Sequence, residues 1–207
     1  LSDALRNYLL RLGWAYKDKE IFSLEESIKL FNLKNVGTSP SKLDMSRILS
    51  LNEHYIKHIN EKELFEFLKD YSKKFKKEIE GSKEEALLKS MNFLKNKAKT
   101  LEDIYKNAQY ILSDTIKISS EDLKLLDSAS KKILKDFLID YEKVTKITKE
   151  SVEKIVNGLI DKHKTNFKGV GQPLRVALTG SKFGPGLYNI ILSLDKNETV
   201  KRLKMFQ

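Results

Sequence analysis

The sequence predicts an all-α fold, and three observations carry that prediction. Apolar residues recur three and four apart along nearly the whole chain. Short Ser, Thr or Asn caps followed by acidic residues precede several of these runs. No stretch alternates with period two for long enough to make a convincing strand. No repeat of fixed period is found either.

Taken in order, Leu1, Ala4, Leu5, Tyr8, Leu9 and Leu12 mark a first helix that stops at Gly13, a natural residue just past a helix end. Trp14, Ile21 and Phe22 follow in a turn. Ser23-Leu24-Glu25-Glu26 has the capping-box pattern, and its helix runs through Ile28 and Leu30. Ser39-Pro40 reads as cap and first turn of a helix carrying Met45, Ile48, Leu51, Tyr55 and Ile56. Asn60 opens a long basic helix, with Leu64, Phe65, Leu68, Phe75 and Ile79, that ends at Gly81. Ser82 caps the next one (Leu87, Leu88, Met91, Leu94), Thr100 caps another, and Ser119 one holding Leu123, Leu125 and Leu126.

The same pattern continues from Leu134 to Tyr141. From Thr148, Val152, Ile155, Val156, Leu159 and Ile160 form a further amphipathic helix. Phe167 to Gly171 is expected to be a loop, and Pro173 to Leu178 a short helix entered at its proline. Pro185 is expected in the first turn of a helix with Leu187, Ile190, Ile191 and Leu194, and Asn197 as cap of the last helix. Breaks near Asn60 and Ile118 are the expected unit boundaries.

Composition narrows the function. The chain has 207 residues, 40% hydrophobic and 33% charged, enough for a buried core and too apolar for a disordered chain. No apolar run approaches the roughly 20 residues of a membrane span, and no signal peptide is apparent. Leu1 in place of an initiating methionine reads as a cut from something longer. The absence of cysteine excludes disulfides and thiol nucleophiles and fits a reducing compartment. Lys+Arg 39 against Asp+Glu 29 gives a net charge of +10, which favours polyanionic partners.

A search for catalytic patterns finds none. There is no P-loop, and Thr179-Gly180-Ser181 is the nearest approach to a nucleophile elbow. His54 and His58 stand four apart, a spacing that can hold zinc, but no third ligand follows; no metal site is expected. His163 sits near a helix end, where the dipole favours it. Most carboxylates read as caps or as partners of lysine four residues on. Lys73-Lys74-Phe75-Lys76-Lys77 and Lys131-Lys132 read as solvated faces. Lys95, Lys97 and Lys99 precede the Thr100 helix start, where free backbone amides would add to the positive potential and suit a phosphate.

Three stretches resemble the C-terminal part of the bacterial-type glutamyl-tRNA synthetases. The first is Ala4-Leu5-Arg6-Asn7-Tyr8-Leu9-Leu10-Arg11-Leu12-Gly13-Trp14 with Glu20 to Glu26, similar to the segment past that family's KMSKS loop. The second is Leu43-Asp44-Met45 with Leu51-Asn52-Glu53-His54-Tyr55-Ile56-Lys57, similar to "DLEKL…LNGHYIR", with Glu53 where the family usually has glycine. The third is Gln172-Pro173-Leu174-Arg175-Val176-Ala177-Leu178-Thr179-Gly180 with Gly184-Pro185-Gly186-Leu187, similar to "QPLRxALTG…SPGL".

The resemblance implies a stem-contact helical region at about 1–61 and two helical anticodon-binding subdomains at about 62–116 and 117–207. It implies a cytoplasmic, monomeric tRNA-binding part without chemistry of its own. ATP and Mg²⁺ would belong to the parent's catalytic domain, which joins glutamate to tRNA. Its partner would be tRNA-Glu, with tRNA-Gln as a second candidate. Arg175, Gly184, Pro185, Gly186 and Leu187 would approach the second and first anticodon bases, with Phe183 and Tyr188 as candidate stacking surfaces. Lys95, Lys99 and Lys182 would contact phosphates. Lys97 stands where the family's "RAKTL" arginine reads the third base; it keeps the charge but not the planar fork, so relaxed third-base selectivity is expected. Two other readings fit the residues: a helical protein-interaction adaptor with a basic surface, and the helical cage of a class I lysyl-tRNA synthetase.

Overall fold

Residues 1–38, 40–77 and 79–206 are described here from a computed structural model. Among them the chain is helical, without strands, as its periodicity predicts. The helices are α1 (Ser2–Arg11), α2 (Leu24–Leu30), α3 (Met45–His58), α4 (Glu61–Lys74), α5 (Gly81–Leu94), α6 (Leu101–Asn107) and α7 (Gln109–Leu112). They continue with α8 (Ser120–Leu123), α9 (Ser128–Lys143), α10 (Lys149–Lys162), α11 (Phe167–Thr179), α12 (Leu187–Ser193) and α13 (Lys196–Lys204). No helix among the described residues is long and apolar enough to cross a membrane.

Local chemistry explains most boundaries. Ser23 and Glu26 form the expected capping box at α2, and Thr100 and Asp103 form another at α6. Asn60 caps α4 through Lys62 N, and Thr148 caps α10. Other expectations shift. Ser39 lies outside the described residues, and Pro40 precedes α3, whose cap is Asp44, accepting from Ser46 N and Arg47 N. Gly81 begins α5 instead of ending α4, and Ser82 sits inside the first turn, because Phe75 and Lys76 have already turned the chain. Asp195, not Asn197, caps α13 through Glu198 N. Gly13 follows α1 without adopting a left-handed conformation; its carbonyl accepts from Gly37 N at 2.6 Å.

Helix α11 departs most from the local reading. Asn166 caps it through Gly169 N, and Pro173 lies inside it. The glycines that read as loop permit packing: a Cβ on Gly169 would meet Thr165 Oγ1 at 2.1 Å, and one on Gly171 would touch Leu187 at 3.6 Å. Burial of Val170, Leu174, Val176, Ala177 and Leu178 outweighs the poor propensity of glycine and proline. Around α11 gather α9, α10, α12 and α13, and α7 touches it as well. One apolar core runs from Ile56 to Leu203. The first residues form their own cluster, with Trp14 against Phe22 and Phe31 at 5.4 and 5.8 Å between ring centres.

Two helices end on lysine where glycine is the usual residue. Lys76 after α4 and Lys164 after α10 have φ of 52° and 48°. In each case the following amide bonds back to the helix, Lys77 N to Ser72 O at 2.8 Å and Thr165 N to Ile160 O at 3.1 Å. These are Schellman ends, and a side chain at φ > 0 carries a steric cost. Lys76→Gly and Lys164→Gly are each expected to stabilise the chain by about 0.5–1 kcal/mol. A rise in the urea midpoint at constant slope checks this; a fall contradicts it.

Candidate nucleic-acid interface

Two segments far apart in sequence build the site. The first is the turn after α5. Lys95 is nearly buried, and its ammonium donates to Ile59 O and pairs with Glu61 Oε1, both at 2.8 Å. It therefore straps the α5 end to the α3–α4 junction. Burial of Ala98 and a bond from Asn52 Nδ2 to Lys99 O at 2.6 Å fix the chain beyond it. Lys97 and Lys99 stay exposed. At the start of α6, Asp103 Oδ2 accepts from Lys99 N and Thr100 N, both at 3.0 Å, and Asp103 N donates to Thr100 Oγ1 at 3.1 Å.

The second segment joins α11 to α12. Gly180 has φ 79°, and its amide closes α11 by donating to Val176 O at 2.8 Å. A Cβ there would lie 2.4 Å from Lys117 O and 2.7 Å from Ile116 Cγ2, so the α7–α8 linker presses on this turn. Arg175 Nη1 donates to Lys182 O at 3.0 Å and holds the loop from beneath. Desolvation pulls its guanidinium pKa down, and its Nε is buried with no partner among the described residues. Lys182 pairs with Glu121, lies 3.6 Å from Asp122 Oδ1, and holds its ammonium 5.3 Å from the Phe183 ring centre. Its pKa is raised, first by the hydrogen bond to Glu121.

Past this brace the loop opens. Phe183 is 73% exposed and is no core residue. Gly184 has φ 132° with open space where a Cβ would be, so its glycine answers to backbone conformation. Gly186 is the N-cap position of α12, and Pro185 precedes it instead of entering the helix. Leu187 is buried and anchors the loop, and Tyr188 packs on Phe167 at 5.9 Å.

A cleft of about 450 Å³ lies where the two segments meet. Phe93, Asn96 and Lys97 line one side and Asn107 adds to it. Phe183 to Gly186 and Asn189 complete it. Lys97, Gly184, Pro185 and Gly186 are thus brought together, while Arg175 and Leu187 support the loop without lining the cleft. Lys95 and Lys182, expected at phosphates, have their ammonium groups occupied by carboxylates within the fold. Asn107 and Asn189 were not legible as site residues, because neither belongs to a cap, a turn or a motif, and Asn96 was passed over between the two lysines of its turn. Lys97 meets Phe93 here only because the Lys95–Lys97 turn continues α5 as a 3₁₀ turn.

Elsewhere, His54 and His58 stack at 4.1 Å, and no cluster of three or more metal-ligating side chains occurs among the described residues. His163 is not alone: its Nε2 lies 2.8 Å from Asp136 Oδ2, which Lys162 also pairs.

An all-helical cage with an open, amide-lined cleft beside an exposed lysine and aromatic ring defines the class: a helical recognition module. Residues 51–206 match the family model described as anticodon binding domain. The chain belongs to that family. Along nearly its whole length it is similar to the glutamate–tRNA ligase of Pelagibacter ubique, 61% identical over 203 residues that make up 98% of this chain and 44% of that protein. The glutamate–tRNA ligase of Thermodesulfovibrio yellowstonii is 35% identical over 207 residues, 99% of this chain and 44% of that protein. The fold matches a crystal structure of a glutamate tRNA ligase from Elizabethkingia meningosepticum with a TM-score of 0.85 at 21% identity, covering all of this chain and 41% of that one. The chain thus spans less than half the length of the relatives it matches. The resemblance read from the QPLR and SPGL-like motifs holds at the level of the family.

Proposed function

We propose that this chain recognises the anticodon loop of tRNA-Glu as part of a glutamate–tRNA ligase and performs no chemistry itself. One observation carries the reading: Lys97 and the Gly184-Pro185-Gly186 loop, which separate motifs assign to anticodon contact, border one cleft. Unstacked loop bases need such a surface, with polar groups for their edges and an aromatic face for stacking. Phe183 offers the face. Arg175, outside the cleft, positions the loop through its bond to Lys182 O, and Lys99 offers a phosphate contact. Residues 1–61, 62–116 and 117–207 serve as the stem-contact region and two anticodon-binding subdomains. Glutamate activation with ATP and Mg²⁺ belongs to a part of the protein outside this chain.

Salt separates this reading from that of a protein-interaction adaptor whose lysines only solubilise it. Affinity for tRNA-Glu transcript is expected to fall linearly in log–log form as salt rises, with a slope of about −0.7 to −0.9 per phosphate neutralised. Anisotropy titrations at several salt concentrations measure it. Absent or salt-independent binding contradicts the reading.

A further inference from the structure

Asparagine does two kinds of work in this chain. Asn7 bonds Glu20 O and Phe22 N, and Asn52 bonds Lys99 O. Asn32, Asn60 and Asn166 cap helical turns. Asn107 and Asn189 are half-buried, and neither side chain is engaged by another among the described residues; both face the large cleft. A half-buried amide without an internal partner keeps its full set of donors and acceptors available to a ligand.

Asn107 also lines a second cleft of about 190 Å³, with Gln109, Tyr110 and Thr179. Phe183, Gly184 and Pro185 border both clefts. The larger volume falls within the range of about 300–1,000 Å³ usual for ligand sites, and the smaller lies below it but exceeds the roughly 150 Å³ that holds a single aromatic ring. Lys182 braces the Phe183 ring, and Gly180 sits against the Lys117 backbone and the Ile116 side chain, so the shared wall is held from two sides.

We infer that the two clefts take two neighbouring unstacked bases of one RNA strand, one on each side of the Phe183–Pro185 wall. Asn107 contacts both and is a specificity-determining residue that couples their readout. The inference rests on the anticodon-binding reading above. Its chemistry is that of an amide: Oδ1 accepts from an exocyclic amine or ring N–H of one base while Nδ2 donates to a carbonyl or ring nitrogen of the other. Fixing the amide's orientation on one base fixes what it offers the next. Because the amide is neutral, its contribution does not follow salt, unlike that of Lys97. Asn189 reaches only the larger cleft and reads one base.

The test uses the whole chain and anticodon stem-loop hairpins carrying single and double substitutions at adjacent loop positions, with affinity read by anisotropy. For the unaltered chain, the penalties at two adjacent positions are expected to be non-multiplicative, and at the other positions multiplicative. Asn107→Ala is expected to reduce the penalties at those same two positions by about tenfold each and to leave the salt slope unchanged. Asn189→Ala is expected to relax one of them. Asn107→Asp, which cannot donate, guards against a folding artefact, and thermal melting of every variant confirms the fold. It should weaken loops presenting acceptors at those positions and spare loops presenting donors. Relaxation at one position or none with Asn107→Ala, or a uniform loss of affinity for all loops, overturns the inference. If the unaltered chain binds no hairpin, the anticodon reading itself fails.

Discussion

Replacing Arg202 with methionine is expected to destabilise the protein by about 3–5 kcal/mol, the range for removing one partner of a buried, hydrogen-bonded charge. Arg202 is 3% exposed and fully engaged. Nε donates to Glu198 Oε1 at 2.6 Å, Nη1 to Leu178 O at 2.7 Å and Nη2 to Ser113 O at 3.2 Å. The two carbonyls belong to the ends of α11 and α7, where helices leave acceptors unsatisfied. Methionine fills the space but strands both carbonyls and a partly buried carboxylate. For a chain of this size the change lowers Tm by roughly 6–20 °C. Lysine retains the charge but not the fork, and should recover only part of the loss. A shift under 2 °C for Arg202→Met, by calorimetry, would contradict the assignment.

Gly180→Ala is expected to be the second severe change, at about 2–4 kcal/mol. Two costs combine: a left-handed backbone imposed on an L-residue, and a methyl group driven against the Lys117 carbonyl. Gly184→Ala is the matched control. It too has positive φ, but its Cβ would enter open space, so only the conformational cost of about 1–3 kcal/mol remains. Urea unfolding of the pair separates sterics from strain. Equal losses would mean that the contact with the Lys117 carbonyl and the Ile116 side chain does not hold the turn. Gly180→Ala should also lower RNA affinity, since the turn sets the entry to the Phe183 loop.

The fold was legible wherever local chemistry decides it. Ser23 with Glu26, Thr100 with Asp103, and Thr148 each announce a helix start that the structure contains. Helix α11 was not legible, because its three glycine and proline positions read as breakers in isolation. What keeps it helical is burial against α9, α10, α12 and α13, a property of the assembled core. The site divides in the same way. Lys97 and the glycine loop stand in motifs and were visible from the residues. Asn107 and Asn189 acquire a role only when α6, the α5 end and α12 converge. Lys95 and Lys182 stand beside motifs and were visible as lysines, but their pairs with Glu61 and Glu121 appear only across the fold.

On the proposed function, the cleft between Lys97 and the Gly184–Gly186 loop reads an anticodon. The most direct measurement is the affinity of the chain and of its Lys97→Ala variant for two hairpins, one with the tRNA-Glu anticodon loop and one with the same loop scrambled. The unaltered chain is expected to prefer the tRNA-Glu loop at least about tenfold. Lys97→Ala is expected to weaken binding to both loops and to narrow the preference about threefold, the remainder resting on the Gly184–Gly186 loop and Asn107. Equal affinity of the unaltered chain for both loops, or a Lys97→Ala variant that loses the same factor on both, would contradict it.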